Sequence, residues 1–422
     1  MTAKIIILLC GVILLVSVYT AEADEVQPPP PRPVGRLSRW FNPQTSPFIP
    51  IPEIDTDPNG GTTVGLLPVF LSTDAQQQIR RIIAVDVTYN STLGVGGGAR
   101  LLAYPSDDVQ WYVTASGAQK IARSLDVAYS SGLTRQRWWS FDGRLVYDRD
   151  PTDRFFGLGN GSSKHRESNY TTEQGYLEAR FGVNYSPALQ LALDIRPRFV
   201  YIERGAFDSQ PFIGKRFPQL QGLRGNNELL SRLILSYDTR DSLAIPKSGT
   251  QAAIFAGLTD RRLLSSVSYS VFGLDARHFR PLTSRITLAG HVSFRYMPVG
   301  GRVPFWALSR LGGDRSIIGY QQPLRGFGGG RFVDNNLFVA NIEARTRAFA
   351  LDLFTTRAVF EVAPFIDIGR VFHKLDTNPF GGLHPTGGIG FRGIAAPFVV
   401  GYVDVGYGSE GVAIFSGVNY PF

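Results

Sequence analysis

The sequence predicts an all-β protein, a transmembrane antiparallel β-barrel of about sixteen strands. Three observations carry that expectation. Apolar and charged residues alternate with period two from Ile82 onward, the connections between the alternating segments fall into a short set and a long set, and the composition is heavy in glycine and aromatics. The chain has 46 Gly, 17 Tyr and 29 Phe against two Met, a balance that suits a large antiparallel sheet with aromatic girdles.

The first residues predict the compartment. Lys4 is followed by an apolar run from Ile5 to Val18 and then by Ala21-Glu22-Ala23, a small-x-small cleavage pattern. Residues 1–23 therefore read as a secretory signal peptide, shorter than the roughly 20 residues a spanning helix needs. Cys10 lies within it, so the mature chain is expected to carry no cysteine, which excludes disulfides, thiolate catalysis and cysteine-bound metals. Residues 24–81 read as a separate periplasmic segment. Pro28 to Pro31, Pro33, Pro43, Pro47, Pro50 and Pro52 favour extended chain over a packed core. Within it, Val64 to Leu71 has the pattern of one short strand or a plug. The formal charge of +8 is spread along the chain, which argues for lipid head groups over nucleic acid as its counterpart.

Residues 82–422 carry the barrel pattern. Leu177, Ala179, Phe181, Val183 and Tyr185 alternate with Glu178, Arg180, Gly182 and Asn184. After Ser186-Pro187-Ala188 the pattern resumes with Leu189, Leu191, Leu193, Ile195, Phe199 and Tyr201. Phe338, Ala340, Ile342 and Ala344 face away from Asn341, Glu343, Arg345 and Arg347. A soluble sandwich alternates too, but it turns its charged face to water, whereas a membrane barrel turns its apolar face to lipid. The dense charges of both signs favour a polar lumen. Strands are expected at 82–89, 94–104, 109–117, 122–130, 137–148, 174–185, 189–203, 229–238, 250–257, 265–279, 285–297, 334–349, 358–372, 386–394, 398–406 and 411–422. With the first strand starting in the periplasm, the longest connections (149–173, 204–228 and 298–333) all fall outside, and the periplasmic ones stay at about 3 to 11 residues, the asymmetry of outer-membrane barrels. The last strand ends on an aromatic register: Val412, Ile414, Val418, Tyr420 and Phe422 share one face, and Tyr420 and Phe422 have the form of a C-terminal assembly signal.

Four stretches carry a family resemblance. They are Asp153 to Asn160, Tyr237 to Asp241 with Pro246 and Gly249, Leu311 to Tyr320 continuing to Gly330–Asp334, and Phe365 to Arg370 followed by Gly388 to Arg392. In order and spacing they resemble the bacterial surface-antigen family of outer-membrane barrels, which includes BamA and TamA. The resemblance implies a long, inward-folding sixth extracellular loop whose Arg-Gly-aromatic tip contacts an Asp of the inner wall. At the expected position the residue before Gly319-Tyr320 is Ile318, and a second triplet, Arg325-Gly326-Phe327, follows. Arg325 is assigned the tip role with Asp367 as its partner. A guanidinium out of water needs a bidentate carboxylate, and glycine lets the chain turn beside it. A solvated Arg325 is the bland alternative, and Arg315 with Gly319 and Tyr320 is the alternative tip.

Other chemistry finds little support. Gly94 to Arg100 lacks the Lys-Ser/Thr ending of a phosphate loop and suits a kink or a close backbone approach. Asp238, Arg240 and Asp241 are turn chemistry. The five histidines have no metal-ligand spacing, His373 and His384 sharing one outer loop, and no motif joins a serine and a histidine for hydrolysis. Asn90-Ser91-Thr92 and Asn160-Gly161-Ser162 are ordinary loop residues. No catalytic residue, cofactor or metal is expected.

The resemblance implies protein assembly or translocation at the Gram-negative outer membrane, with unfolded outer-membrane proteins or a secreted protein as substrate. The strands at 82–89 and 411–422 are expected to part, and Gly411 and Gly417 are consistent with a weak seam. The family's periplasmic polypeptide-transport domains do not fit in residues 24–81, so a separate periplasmic partner is expected. The alternative is a plugged or passive channel, or a lipid-organising protein.

Overall fold

A computed structural model describes residues 48–57, 60–74, 79–298, 303–317, 320–353, 356–375, 381–395 and 399–422. All belong to the second of the chain's two compact units, Trp40–Phe422. The expected signal peptide and the proline-rich residues up to 47 lie outside the described residues.

Eighteen strands form one antiparallel sheet. They are β1 (Phe48–Asp57), β2 (Gly61–Thr73), β3 (Ile79–Asn90), β4 (Gly94–Ser106), β5 (Val109–Ala118), β6 (Arg123–Ser131), β7 (Trp139–Phe155), β8 (Ser168–Asn184) and β9 (Leu189–Arg204). They continue as β10 (Asn226–Asp238), β11 (Gly249–Thr259), β12 (Tyr269–Pro281), β13 (Ile286–Tyr296), β17 (Asn336–Leu353), β18 (Thr356–Phe372), β19 (His384–Ala395), β20 (Val399–Gly408) and β21 (Gly411–Val418). Each pairs with the next in sequence, and β13 pairs with β17 across the longest connection. Within that connection β14 (Ser309–Leu311), β15 (Gln321–Gln322) and β16 (Phe332–Asp334) form a small sheet of their own. Residues of β1 and β21 come within 8 Å of one another, Cα to Cα, so the first and last strands run side by side.

The side chains decide which way the alternation faces. Leu177, Phe181, Leu193 and Ile366 are exposed, at 51%, 57%, 45% and 59%, while Asp194, Glu343 and Asp367 are buried. This is the reverse of a soluble sheet and places the greasy face against lipid. Cross-strand pairs build that face: Phe181 lies opposite Phe141 on β7 and Leu193 on β9, with the two phenylalanine rings 4.9 Å apart. On the inner face charges of opposite sign meet across strands, as where Asp194 takes Arg180 at 3.2 Å and Arg232 at 2.8 Å.

The structure corrects three expectations. First, the sheet begins at Phe48, not at 82, and two strands from the expected periplasmic segment raise the count from sixteen to eighteen. The prolines are accommodated by register. Pro50 stands directly opposite Pro68, where neither amide need donate to the other strand. The β2–β3 ladder passes from Leu66–Val87 to Val69–Ala84, skipping Pro68 on its other side. Second, residues 82–89 lie inside the sheet as part of β3, so the strand beside β21 is β1. Third, β21 ends at Val418. Asn419, at φ +75°, turns the chain, and Tyr420 to Phe422 leave the strand. Gly411 also has a positive φ, +112°, at a turn, and Gly417 makes room for the Tyr402 ring, so neither glycine reports on the seam.

Candidate functional site in the lumen

The β13–β17 connection reaches the site from an apolar cap. Phe305, Trp306 and Met297 are fully buried with Phe155, Tyr170 and Ile213, so parts of three long connections and their flanking strands share one core. The Arg310 guanidinium donates to the Tyr170 hydroxyl at 2.9 Å. Beyond this cap β14 to β16 form a compact stem. Gly313 N–H donates to the Phe327 carbonyl at 2.9 Å and Leu324 N–H to the Gly313 carbonyl at 3.0 Å. Leu311, Leu324, Phe327 and Phe332 pack against Leu337, Val339 and Val371 of β17 and β18.

The stem presents Arg325-Gly326-Phe327 to the wall. Arg325 is fully buried. Its Nε donates to Asp367 Oδ2 at 3.0 Å and its Nη2 to Oδ1 at 2.8 Å, a bidentate fork, and its backbone N–H adds a third bond at 3.0 Å. Its Nη1 reaches Glu343 at 2.9 Å and Asp404 at 3.2 Å. The Phe365 ring lies 3.6 Å from its Cζ. Arg345 completes Glu343 at 2.6 Å, and Arg392 pairs with Asp404 and stands 3.5 Å from Glu343. Three guanidinium groups thus face three carboxylates from β17, β18, β19, β20 and the loop, with no net charge buried.

Backbone shape matters as much as charge. A Cβ on Gly406 of β20 would stand 1.7 Å from the Arg325 carbonyl oxygen, and one on Gly326 would stand 2.9 Å from the Gly408 amide nitrogen. Only glycine on both surfaces lets the tip lie flat on the wall. Phe327 is buried edge-on to Phe332, their centroids 5.1 Å apart, and Phe332 stacks on His384 at 4.0 Å.

The alternative tip lies elsewhere. Arg315 is exposed, Gly319 falls outside the described residues, and the Tyr320 ring sits under Arg310 at 5.7 Å. Asp314, beside Arg315, accepts from the Tyr402 hydroxyl of β20 at 2.5 Å. Of the other motifs, Asn160 bridges outer ends of the wall: its Oδ1 accepts from Val371 N–H at 3.1 Å and its Nδ2 donates to the Gly382 carbonyl at 2.6 Å. Asp238 grips Arg240 of its own turn, at 2.9 and 2.7 Å. His373 lies 3.5 Å from Asp334.

The C-terminal aromatics also reach the cluster. Phe422 is buried, stacks on His291 with centroids 5.2 Å apart, and its carbonyl accepts from Arg345 Nη2 at 3.2 Å. The Tyr420 hydroxyl donates to Glu361 at 2.9 Å, with the Arg345 guanidinium 3.7 Å from its ring. Glu343, Arg345, Arg392 and Asp404 are the members that sequence reasoning missed. Alternation puts Glu343 and Arg345 on the inner face, but nothing in the sequence brings them to one point.

The Omp85 superfamily domain matches residues 109–398. The chain belongs to the Omp85 superfamily. No curated protein matches it. Among solved structures its fold is similar to that of BamA from Haemophilus ducreyi lacking POTRA domains 1-3, at 14% identity and a TM-score of 0.53, over 91% of this chain and 76% of that one. CdiB from Escherichia coli is more distant, at 13% identity and a TM-score of 0.49, over 89% of this chain and 62% of that one. Membership places this Omp85 barrel, in general terms, with the Gram-negative outer-membrane proteins of protein insertion or translocation.

Proposed function

We propose that this Omp85 barrel handles protein substrates by parting β1 from β21, while the Arg325 cluster holds loop and wall together. One observation carries the reading: the seam-facing edge of β1 is poor in donors. In an antiparallel ladder, residues alternate between bonding their partner and turning their amides away. Pro50 opposite Pro68 marks the positions that turn away, and Pro52 opposite Leu66 is in the same phase. Residues 48, 50, 52, 54 and 56 therefore face β21, and two of these five, Pro50 and Pro52, have no N–H to give. A seam built this way is weaker than its neighbours and exposes the β21 edge to an incoming strand.

The substrate is an unfolded outer-membrane protein or a secreted protein, delivered by a separate periplasmic partner to a chain exported by its signal peptide. No covalent step is asked of the site. The packed cap and the loop stem held on the β17–β18 wall favour this reading over a passive channel. Depleting the protein in its native host while quantifying outer-membrane proteins and lipids tests the proposal. Selective loss of other β-barrels or of a secreted substrate before any lipid change is the expected result. An unchanged protein inventory sinks it. A cysteine pair joining β1 to β21 should reproduce the depletion phenotype, reversibly with reductant.

A further inference from the structure

The lipid-facing wall is not uniformly smooth. Across β11, β12, β13, β17 and β18 it carries a groove of about 380 Å³. Its floor is Ala276, Gly290 and Ala340, and Val292, Ile342 and Ile366 rise beside it. The groove spans five neighbouring strands, so it is on the order of 19 Å long at about 4.8 Å per strand.

The two ends differ in chemistry. The β18 end is formed by Ile366 and Ile368, well inside the strand. The β11 end is polar. Thr250 and His278 line it, with Thr250 Oγ1 and His278 Nδ1 joined by a 2.8 Å hydrogen bond. They lie close to the short β10–β11 and β12–β13 connections, the side assigned to the periplasm. Arg280, two residues beyond His278, shares its outward phase, since the intervening Phe279 is buried inward. Arg285 follows in the same hairpin. Arg280 and Arg285 are exposed, and among the described residues neither has an ion-pair partner.

We propose that this groove binds one phospholipid, its acyl chain along Gly290 toward Ile366 and its phosphate at His278 and Arg280. Arg280, two residues from the His278 that lines the polar end, matches an anionic head group, and an apolar trough leading away from that end matches an acyl chain rather than a peptide. The site lies on the opposite face of the wall from the Arg325 cluster and does not rest on the seam reading.

The test is native mass spectrometry of the full chain, titrated with phosphatidylglycerol and phosphatidylcholine of identical acyl chains. The parent chain is expected to retain one phosphatidylglycerol in preference to phosphatidylcholine. A Cβ at Gly290 meets nothing within 4 Å, so Gly290→Leu fits the fold and fills the trough; it should weaken retention of both lipids about tenfold. Arg280→Gln should abolish the head-group preference and leave acyl binding intact. Equal retention by Gly290→Leu, or an undiminished preference in Arg280→Gln, overturns the proposal, as does a graded series of several equivalent lipids on the parent. The two variants act on separate parts of the site, so a folding failure in one leaves the other decisive.

Discussion

Replacing Arg325 with alanine is the most informative perturbation. In the native chain Asp367 is fully buried and takes three hydrogen bonds from Arg325, two of them from the guanidinium. Glu343 and Asp404 keep Arg345 and Arg392 when Arg325 is gone, but among the described residues Asp367 keeps only a backbone amide. The cluster then buries one uncompensated negative charge. Breaking a buried pair from one side costs about 3 to 5 kcal/mol. That range corresponds to between about a hundredfold and several thousandfold in the ratio of docked to undocked loop. A solvated arginine would move the same quantity by less than about 0.5 kcal/mol. The assay is a urea titration of the folded barrel, run as a double-mutant cycle with Asp367→Asn. Removing the charge of Asp367 as well should restore most of the loss, giving a coupling well above the roughly 0.5 kcal/mol of independent sites. Additive effects would refute the assignment, whatever the single variants do. Arg325→Lys should recover only part of the stability, because an ammonium cannot supply the two-pronged fork.

Four further outcomes follow from the same geometry. Gly406→Ala changes no charge, yet its Cβ would stand 1.7 Å from the Arg325 carbonyl oxygen; it should displace the tip and lower the urea midpoint much as Arg325→Ala does. Phe422→Ala removes a buried ring between His291 and two guanidinium groups, and should cost about 2 kcal/mol, read as a lower temperature for loss of the compact band on gels. Asn160→Ala should speed hydrogen exchange at the Val371 amide, which donates to Asn160, without changing exchange in β8. Burial pushes the Asp334 carboxyl above the ordinary aspartate range, with the Asn335 amide and His373 pulling it partly back. Folding thus disfavours its charged form, a cost that is absent at low pH and appears as pH rises through that range. Asp334→Asn should therefore raise the urea midpoint at neutral pH and leave it unchanged at about pH 3.

Where the residues alternate over long stretches, the strands were legible. β8, β9 and β17 show why: one residue in two must be apolar against lipid, and the other must carry polarity for a neighbour across the lumen. β1 escaped that reading because Pro50 and Pro52 signal extended chain outside a sheet, and β2 reads only as the short strand or plug Val64 to Leu71, not as a strand of the wall. Only the pairing register shows that their missing donors fall between ladders or on an edge. The C-terminal tail misled for a different reason. Tyr420 and Phe422 continue the period of β21, and the local signs of departure are Asn419, a residue that tolerates left-handed backbone, and Pro421, which has no N–H to give a ladder. Arg325 and Asp367 came from the family resemblance, not from spacing. Glu343 and Asp404 could be placed on the inner face but not at one point, because their meeting depends on how five segments curve together.

The apolar cap and the Arg325 cluster together constrain the order of biogenesis. Arg325 holds Asp367 and Asp404, which come 42 and 79 residues after it. On the outer side, the connection that carries this tip is anchored in the apolar core of Phe155, Phe305 and Trp306. The loop's partners on β18 and β20 follow it in the chain, so it is placed to serve as the form on which the last four of the eighteen strands settle. The Phe422 ring adds to the same cluster, 5.6 Å from the Arg325 guanidinium and 5.8 Å from that of Arg345. Contacts of such sequence separation form slowly, so a delayed tip is expected to hold back the strands that settle on it.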